Sequence, residues 1–156
     1  MIKLDAIDRK LLKLLQEDSK RNIKTLATEL GITKTPIYER IKRLEQGGVI
    51  AKYVAILDKV HLPAYIVVFC SVSLDSQKLD EINSFSKAIE AFEEVTECYL
   101  MGGQSDFLLK VVVEDLTAYH LFSSGKLAAI DNVSQIRSSF VFNEVKTSSV
   151  LPVLNS

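Results

Sequence analysis

The sequence predicts an α+β chain in two parts, and three observations predict it. Over residues 1–50, apolar side chains recur three to four residues apart, the spacing of amphipathic helices. Beyond residue 64, runs rich in Val, Ile, Phe and Tyr alternate with two helical periods in the order β-α-β-β-α-β. Charge is divided as well. Residues 1–57 hold 12 Lys and Arg against 7 Asp and Glu, a balance of +5, whereas residues 58–156 hold 7 against 13, a balance of −6. The overall charge of −1 hides this split. A basic part joined to an acidic one suggests that only the first meets a polyanion.

Composition sets the outer bounds. Of 156 residues, 25% are charged and 47% hydrophobic, which suits a folded chain and is too apolar for disorder. Met1 to Asp8 lacks the apolar core of a signal peptide, and the longest apolar run, Ala64 to Cys70, is far short of a membrane span. A cytoplasmic chain with no membrane partner is expected. Cys70 and Cys98 lie in strand-like stretches outside any C-x-x-C pair, and are expected as buried, reduced thiols. His61 and His120 have no companions at ligand spacing, so no metal site is expected. There is no nucleophile–base pair and no phosphate-binding loop, so no catalytic residue and no cofactor is assigned and the chain is not expected to be an enzyme.

In the first helix, Ile7, Leu11, Leu14 and Leu15 form the apolar stripe, and Asp5 and Asp8 supply the acidic start that suits the helix dipole. It should end near Asp18-Ser19. The second runs from about Ile23 to Leu30, with Asn22 as N-cap, Leu26, Ala27 and Leu30 inward and Gly31 as its stop. The third opens near Thr33 and continues to Gln46, before Gly47-Gly48. Pro36 fits its first turn, where the missing amide has no partner to lose. Ile37, Ile41 and Leu44 define the buried stripe. Thr35, Glu39, Lys42, Arg43 and Gln46 project opposite, with Tyr38 and Arg40 at the borders.

A short helix, a tight Gly-Ile turn and a longer helix with a polar, partly basic outer face make a helix-turn-helix, whose second helix enters the major groove of double-stranded DNA. Thr35, Tyr38 and Glu39 are then candidates for base edges, Lys34, Lys42 and Arg43 for phosphates, with Thr33 at the helix start. These residues also carry a family resemblance. Leu4-Asp5-x-x-Asp8-x-x-x-Leu12, Leu26-Ala27-x-x-Leu30-Gly31-Ile32-Thr33 and Arg40-Ile41-x-Arg43-Leu44-Glu45-x-x-Gly48-Val49-Ile50 closely resemble the Lrp/AsnC family of feast/famine transcriptional regulators. The resemblance implies a winged-type three-helix DNA-binding domain, here residues 1–50, and a nucleoid-associated protein.

Residues 51–63 read as linker, with Ala51 to Leu57 as an extended strand and Asp58 to Pro63 as the hinge. Residues 64–156 hold strands Tyr65–Leu74, Val95–Met101, Phe107–Val113 and Val133–Val145 and helices Leu79–Phe92 and Leu116–Ile130; Lys146 to Pro152 reads as a flexible tail. This order is the ferredoxin-like split βαβ, a four-stranded sheet with helices on one face only. Val67, Phe69, Val111 and Phe140 give its strands apolar residues on both faces, which implies dimerisation. The order also resembles the family's regulator-and-assembly (RAM) domain, whose members commonly ring dimers into octamers.

The segment Met101-Gly102-Gly103-Gln104-Ser105-Asp106 joins two strands and matches the family's Gly-x-x-Asp signature. Its backbone N–H groups can receive a carboxylate, and Asp106 can accept from an ammonium group or orient the loop. On the residues alone, Gly102-Gly103 reads rather as a hairpin turn with Asp106 as its cap. The resemblance implies a small effector here, usually an amino acid, and aligns Gln135, Arg137, Ser138 and Ser139 with the same cleft. His61-Leu62-Pro63 and Ser105 depart from the family's usual residues, which leaves the effector's identity open. Two functions follow: a sequence-specific transcriptional regulator answering to an amino acid, or an architectural protein that wraps DNA without an effector.

Overall fold

The computed structural model describes residues 3–152. The outermost residues of both expected domains, 1–2 and 153–156, lie outside the described residues. The chain divides into two compact units, one running to Leu57 and taking in the chain from Lys146 onward, the other spanning Asp58–Val145.

The first unit is built on α1 (Ala6–Glu17), α2 (Ile23–Leu30) and α3 (Lys34–Gln46). Each start has a local cause. The Asp8 amide donates to the Asp5 carboxylate at 2.8 Å and the Asp5 amide donates to Asp8 at 3.0 Å, a reciprocal capping box that pairs two donors helix geometry leaves over. The Thr25 amide donates to Asn22 Oδ1 at 2.9 Å at the head of α2. Gly31, at φ 66, takes the left-handed turn that ends α2 and lets the Ile32 amide reach the Ala27 carbonyl. Leu11, Leu12, Leu26, Ala27, Ile37 and Leu44 close the core, with Ile41 and Ile50 at its margin. Ala51–Leu57, expected as a strand, joins no sheet among the described residues. Without a ladder neighbour its backbone groups are left to water, and Tyr53, Val54, Ile56 and Leu57 are exposed. The tail groups with this first unit rather than with the sheet. The Leu151 amide donates to Gln16 Oε1 at 2.7 Å, and Gln16 Nε2 donates to the Leu151 carbonyl at 3.1 Å.

The second unit opens with a short turn at Lys59–His61, then β1 (Ile66–Leu74), α4 (Leu79–Glu90), β2 (Val95–Leu100), β3 (Phe107–Val113), α5 (Leu116–Phe122) and β4 (Val133–Phe140). The four-stranded sheet runs β2-β3-β1-β4, and every neighbouring pair is antiparallel. Val68, Cys70, Val72 and Leu74 of β1 and Phe107, Leu109, Val111 and Val113 of β3 face the helices, packing with Phe85, Ile89, Tyr119, Phe122 and Leu127. The strict alternation along β3 is the period-2 signature of a sheet covered on one side.

Three expectations are corrected. β4 stops at Phe140, not Val145, because its partner β1 begins at Ile66 and the last backbone bond is from the Val141 amide to the Val67 carbonyl. The helix expected over Leu116–Ile130 keeps α geometry only to Phe122. A wider turn over Ser123–Leu127, with the Ala128 amide reaching the Ser123 carbonyl, then brings Leu127 fully into the core. Cys70 is buried as expected, but Cys98 is exposed, since β2 is an edge strand with no neighbour beyond it.

The ring centroids of Phe85 and Phe107 stand 4.4 Å apart with both rings fully buried. Phe107→Ala should therefore lower the stability of the sheet unit by about 3–5 kcal/mol, a deletion that leaves a cavity between helix and sheet. Urea unfolding followed through the sheet's circular dichroism checks this, and a loss under about 1 kcal/mol would contradict the packing.

Candidate functional site

Two regions gather the candidate residues, one in each unit. In the first, the buried stripe of α3 turns its other side outward. Lys34, Thr35, Tyr38, Glu39 and Lys42 are exposed, and no described residue holds their side chains by a hydrogen bond or ion pair. Thr33 occupies the N-cap position without bonding back through its hydroxyl, which leaves that hydroxyl and the first-turn amides open to an outside acceptor.

Arg43 stands apart from that set. It is exposed, as expected of the outer face, and its Nη2 also donates to Asp8 Oδ2 of α1 at 2.5 Å. Arg40 Nη1 donates to Asp8 Oδ1 and to Asp5 Oδ2, both at 2.6 Å. Arg40 and Arg43 stand three positions apart on the helix, so both side chains leave α3 on the side that meets α1. Asp8 is fully buried, whereas the Arg43 side chain remains 47% exposed. The Asp8 amide, with Arg40 beside it, holds the Asp5 carboxyl below the usual carboxylate range. Beyond α3, the Tyr53 hydroxyl donates to Glu45 Oε1 at 2.8 Å; partial burial and that carboxylate push its phenol up to about 12.

In the second unit, the loop Met101–Asp106 is held by its last residue. The Leu74 amide donates to Asp106 Oδ2 and Gln77 Nε2 to Asp106 Oδ1, each at 2.7 Å. The Asp106 amide reaches the Val72 carbonyl, and the Met101 amide reaches the Asp106 carbonyl. Both carboxylate oxygens are thus engaged in orienting the loop. Met101, Gly102, Gly103 and Gln104 are exposed, and a Cβ on either glycine would meet nothing within 4 Å.

Register sorts the late candidates onto opposite faces. Gln135 lies beside Ser73, Arg137 beside Ser71 and Ser139 beside Phe69, all on the face without helices and, for Gln135 and Arg137, near the loop's end of the sheet. Ser138 pairs with Cys70 on the helix face, because side chains alternate along a strand. There its hydroxyl bonds the Tyr119 hydroxyl, which also lies 3.1 Å from Cys70 Sγ. Ser138 therefore does not join Gln135 and Arg137. The open face carries Val67, Phe69, Leu108 and Val112, crossed by the ion pair of Lys110 with Glu97 at 2.8 Å.

Sequence reasoning missed Asp8 as a buried anchor, Gln77 as a loop clamp and Tyr119 as the partner of Ser138. Signals existed for the first: Asp5 and Asp8 at capping-box spacing, Arg40 and Arg43 at the spacing that puts both on one helix side. Gln77 is joined to Asp106 only by tertiary folding, and nothing local points to it. Among the described residues, no group of three or more His, Cys, Asp or Glu is placed to hold a metal, and no helix is long and apolar enough to cross a membrane.

Comparison with known proteins covers both units. Residues 4–45 match the model of the AsnC-type helix-turn-helix domain, and residues 67–151 match that of the Lrp/AsnC ligand binding domain. The Bkd operon transcriptional regulator of Pseudomonas aeruginosa is 37% identical over 153 residues, spanning 98% of this chain and 100% of its own. The leucine-responsive regulatory protein of Escherichia coli is 36% identical over 150 residues, spanning 96% and 92%. Among solved structures, an AsnC family transcriptional regulator from Agrobacterium tumefaciens superposes with a TM-score of 0.89 at 37% identity, covering 96% of this chain and 97% of its own. A transcriptional regulator from Neisseria meningitidis, solved as a complex with L-Met, also has a TM-score of 0.89, at 28% identity and 97% coverage of each chain.

The Tyr119 phenol is pushed up to about 12, first by burial and then by the Cys70 thiol. Its raised value has a definite sign. Stability is retained below about pH 10, where an unfolded tyrosine begins to ionise, and falls from there toward pH 12 as the unfolded chain loses its proton first. Tyr119→Phe should flatten that alkaline fall, read by denaturant titration at about pH 9 and about pH 11. Equal falls in the two proteins would show that Tyr119 is not the group responsible.

Proposed function

The chain belongs to the Lrp/AsnC family of transcriptional regulators, and on that premise we propose that it reads DNA through the outer face of α3 and answers to a small amino acid held by the second unit. One observation carries the first half: Lys34, Thr35, Tyr38, Glu39 and Lys42 stand exposed and unengaged, with Thr35, Glu39 and Lys42 on the far side of α3 from Ile37 and Leu44. A major groove about 12 Å wide admits one helix, and the N-terminal residues of that helix reach base edges. Thr35, Tyr38 and Glu39 then read bases, while Lys34, Lys42, Thr33 and the open amides of the first turn take phosphates.

The effector reading rests on the loop that Asp106 and Gln77 hold in place. Exposed backbone amides at Gly102 and Gly103 suit a carboxylate, with Met101, Gln104, Gln135 and Arg137 supplying the surroundings. The Neisseria relative bound to L-Met supports an amino acid of modest size. The open sheet face supports assembly, because a face bearing Val67, Phe69, Leu108 and Val112 gains by being covered by a second copy. A dimer, and an octamer built from dimers, working in the cytoplasm on double-stranded DNA, is the assembly this reading entails.

Lys42→Ala should weaken binding to specific and random duplexes alike and lower the slope of log K against log salt by about 0.9, the share of one phosphate contact. Fluorescence anisotropy across a salt series reads the slope, and an unchanged slope removes Lys42 from the interface. Calorimetry of the purified protein with each of the twenty amino acids, beginning with L-leucine and L-methionine, should show saturable heat for at least one. Binding to none would favour the architectural reading.

A further inference from the structure

We propose that Asp8, on a helix that does not itself enter the DNA groove, is a positioning residue that sets the strength and salt dependence of DNA binding: by holding Arg43 against α1 it keeps that cation off the phosphates. The inference rests on the reading of α3 as the DNA-contacting helix, and goes beyond it by removing from the contact set a residue that its sequence position would include.

The geometry runs from the buried carboxylate outward. Asp8 is fully buried, and its two oxygens receive Arg40 and Arg43 separately, at 2.6 and 2.5 Å. Arg40 also reaches Asp5 at 2.6 Å. Two carboxylates and two guanidiniums therefore form one closed cluster with no net charge. The far field of such a cluster is that of opposed dipoles, which decays within a Debye length of about 8–10 Å at physiological salt. Of the cations on α3, only Lys34 and Lys42 are left without an acidic partner among the described residues.

Leaving the cluster would cost Arg43 a charge-assisted bond and leave one Asp8 oxygen buried without it. A phosphate can take Arg43 only by offering more than that loss. The consequence is a lower and less salt-sensitive affinity. Phosphate contacts strengthen binding to every sequence equally, so a withheld cation lowers the affinity for all duplexes by the same factor and leaves base readout untouched.

The test compares full-length Asp8→Asn, Arg43→Gln and Lys42→Ala in salt-dependent anisotropy, on a random-sequence duplex and on a duplex selected by the wild-type protein from a randomised pool. Asp8→Asn removes the charge that retains Arg43. The slope should then steepen by about 0.9, equivalent to about 3.5-fold more affinity lost between about 50 and about 200 mM salt, and low-salt binding should tighten on the random and selected duplexes alike. Arg43→Gln should leave the slope of the wild type unchanged, and in the Asp8→Asn background should abolish the steepening, which a merely structural role for Asp8 would not do. An unchanged or shallower slope in folded Asp8→Asn overturns the proposal, as does a slope reduced by about 0.9 in Arg43→Gln alone. Where Asp8→Asn fails to fold by circular dichroism, Arg43→Gln decides by itself. Lys42→Ala separates the two readings: if it too leaves the slope unchanged, the placement of α3 on DNA is what fails.

Discussion

The arrangement of the first unit depends on a single carboxylate taken out of water. A buried anion is tolerated only when its charge and its lone pairs are matched, and removing one partner costs far more than the pair contributes. Asp8 meets that condition with two guanidiniums from α3 and an amide from its own helix end. The same atoms thus perform three tasks. They start α1, they fix the rotation of α3 about its axis, and they decide which face of α3 is left over. The apolar contacts of Leu11, Leu26, Ile37 and Leu44 draw the helices together but are indifferent to small rotations, whereas bonds of this length are not.

The second unit follows a comparable logic with a weaker version of the same device. Asp106 uses both oxygens to bind the Leu74 amide and Gln77, so a glycine-bearing loop with little packing of its own is held at one end. Asn132 does similar work on the neighbouring connection. At φ 71 it exchanges hydrogen bonds with the Ser76 backbone through its side chain and takes the Asp75 amide on its carbonyl. The loops at that end of the sheet are tied to one another by polar side chains, and the sheet provides the rigid base beneath them.

What could be read from the sequence was whatever repeats or punctuates. The helical stripes, the glycine at Gly31, the cap at Asn22 and the βαββαβ order are local patterns, and the structure places the elements within a few residues of where those patterns put them. The boundaries that moved were set by partners far along the chain: β4 ends where β1 runs out, and the α5 helix opens into a wider turn to seat Leu127. The candidate residues divide in the same way. Thr35, Tyr38 and Lys42 are outward because a helix period says so. The bond of Arg43 to Asp8 and the inward side of Ser138 were missed because these surroundings come from Asp8 and Tyr119, which no spacing within their own element reveals. Gln135 and Arg137 kept company because alternation is local, and by the same alternation Ser138 had to leave them.

The pairing of Gln16 with Leu151 makes the first unit discontinuous in sequence, with the sheet unit inserted between Leu57 and Lys146. An inserted domain is leashed at both ends. Its backbone enters and leaves through two covalent crossings. A fragment cut cleanly after residue 57 would carry the three helices but not the strand of tail that Gln16 holds, and so would not be the same object as the corresponding part of the whole chain.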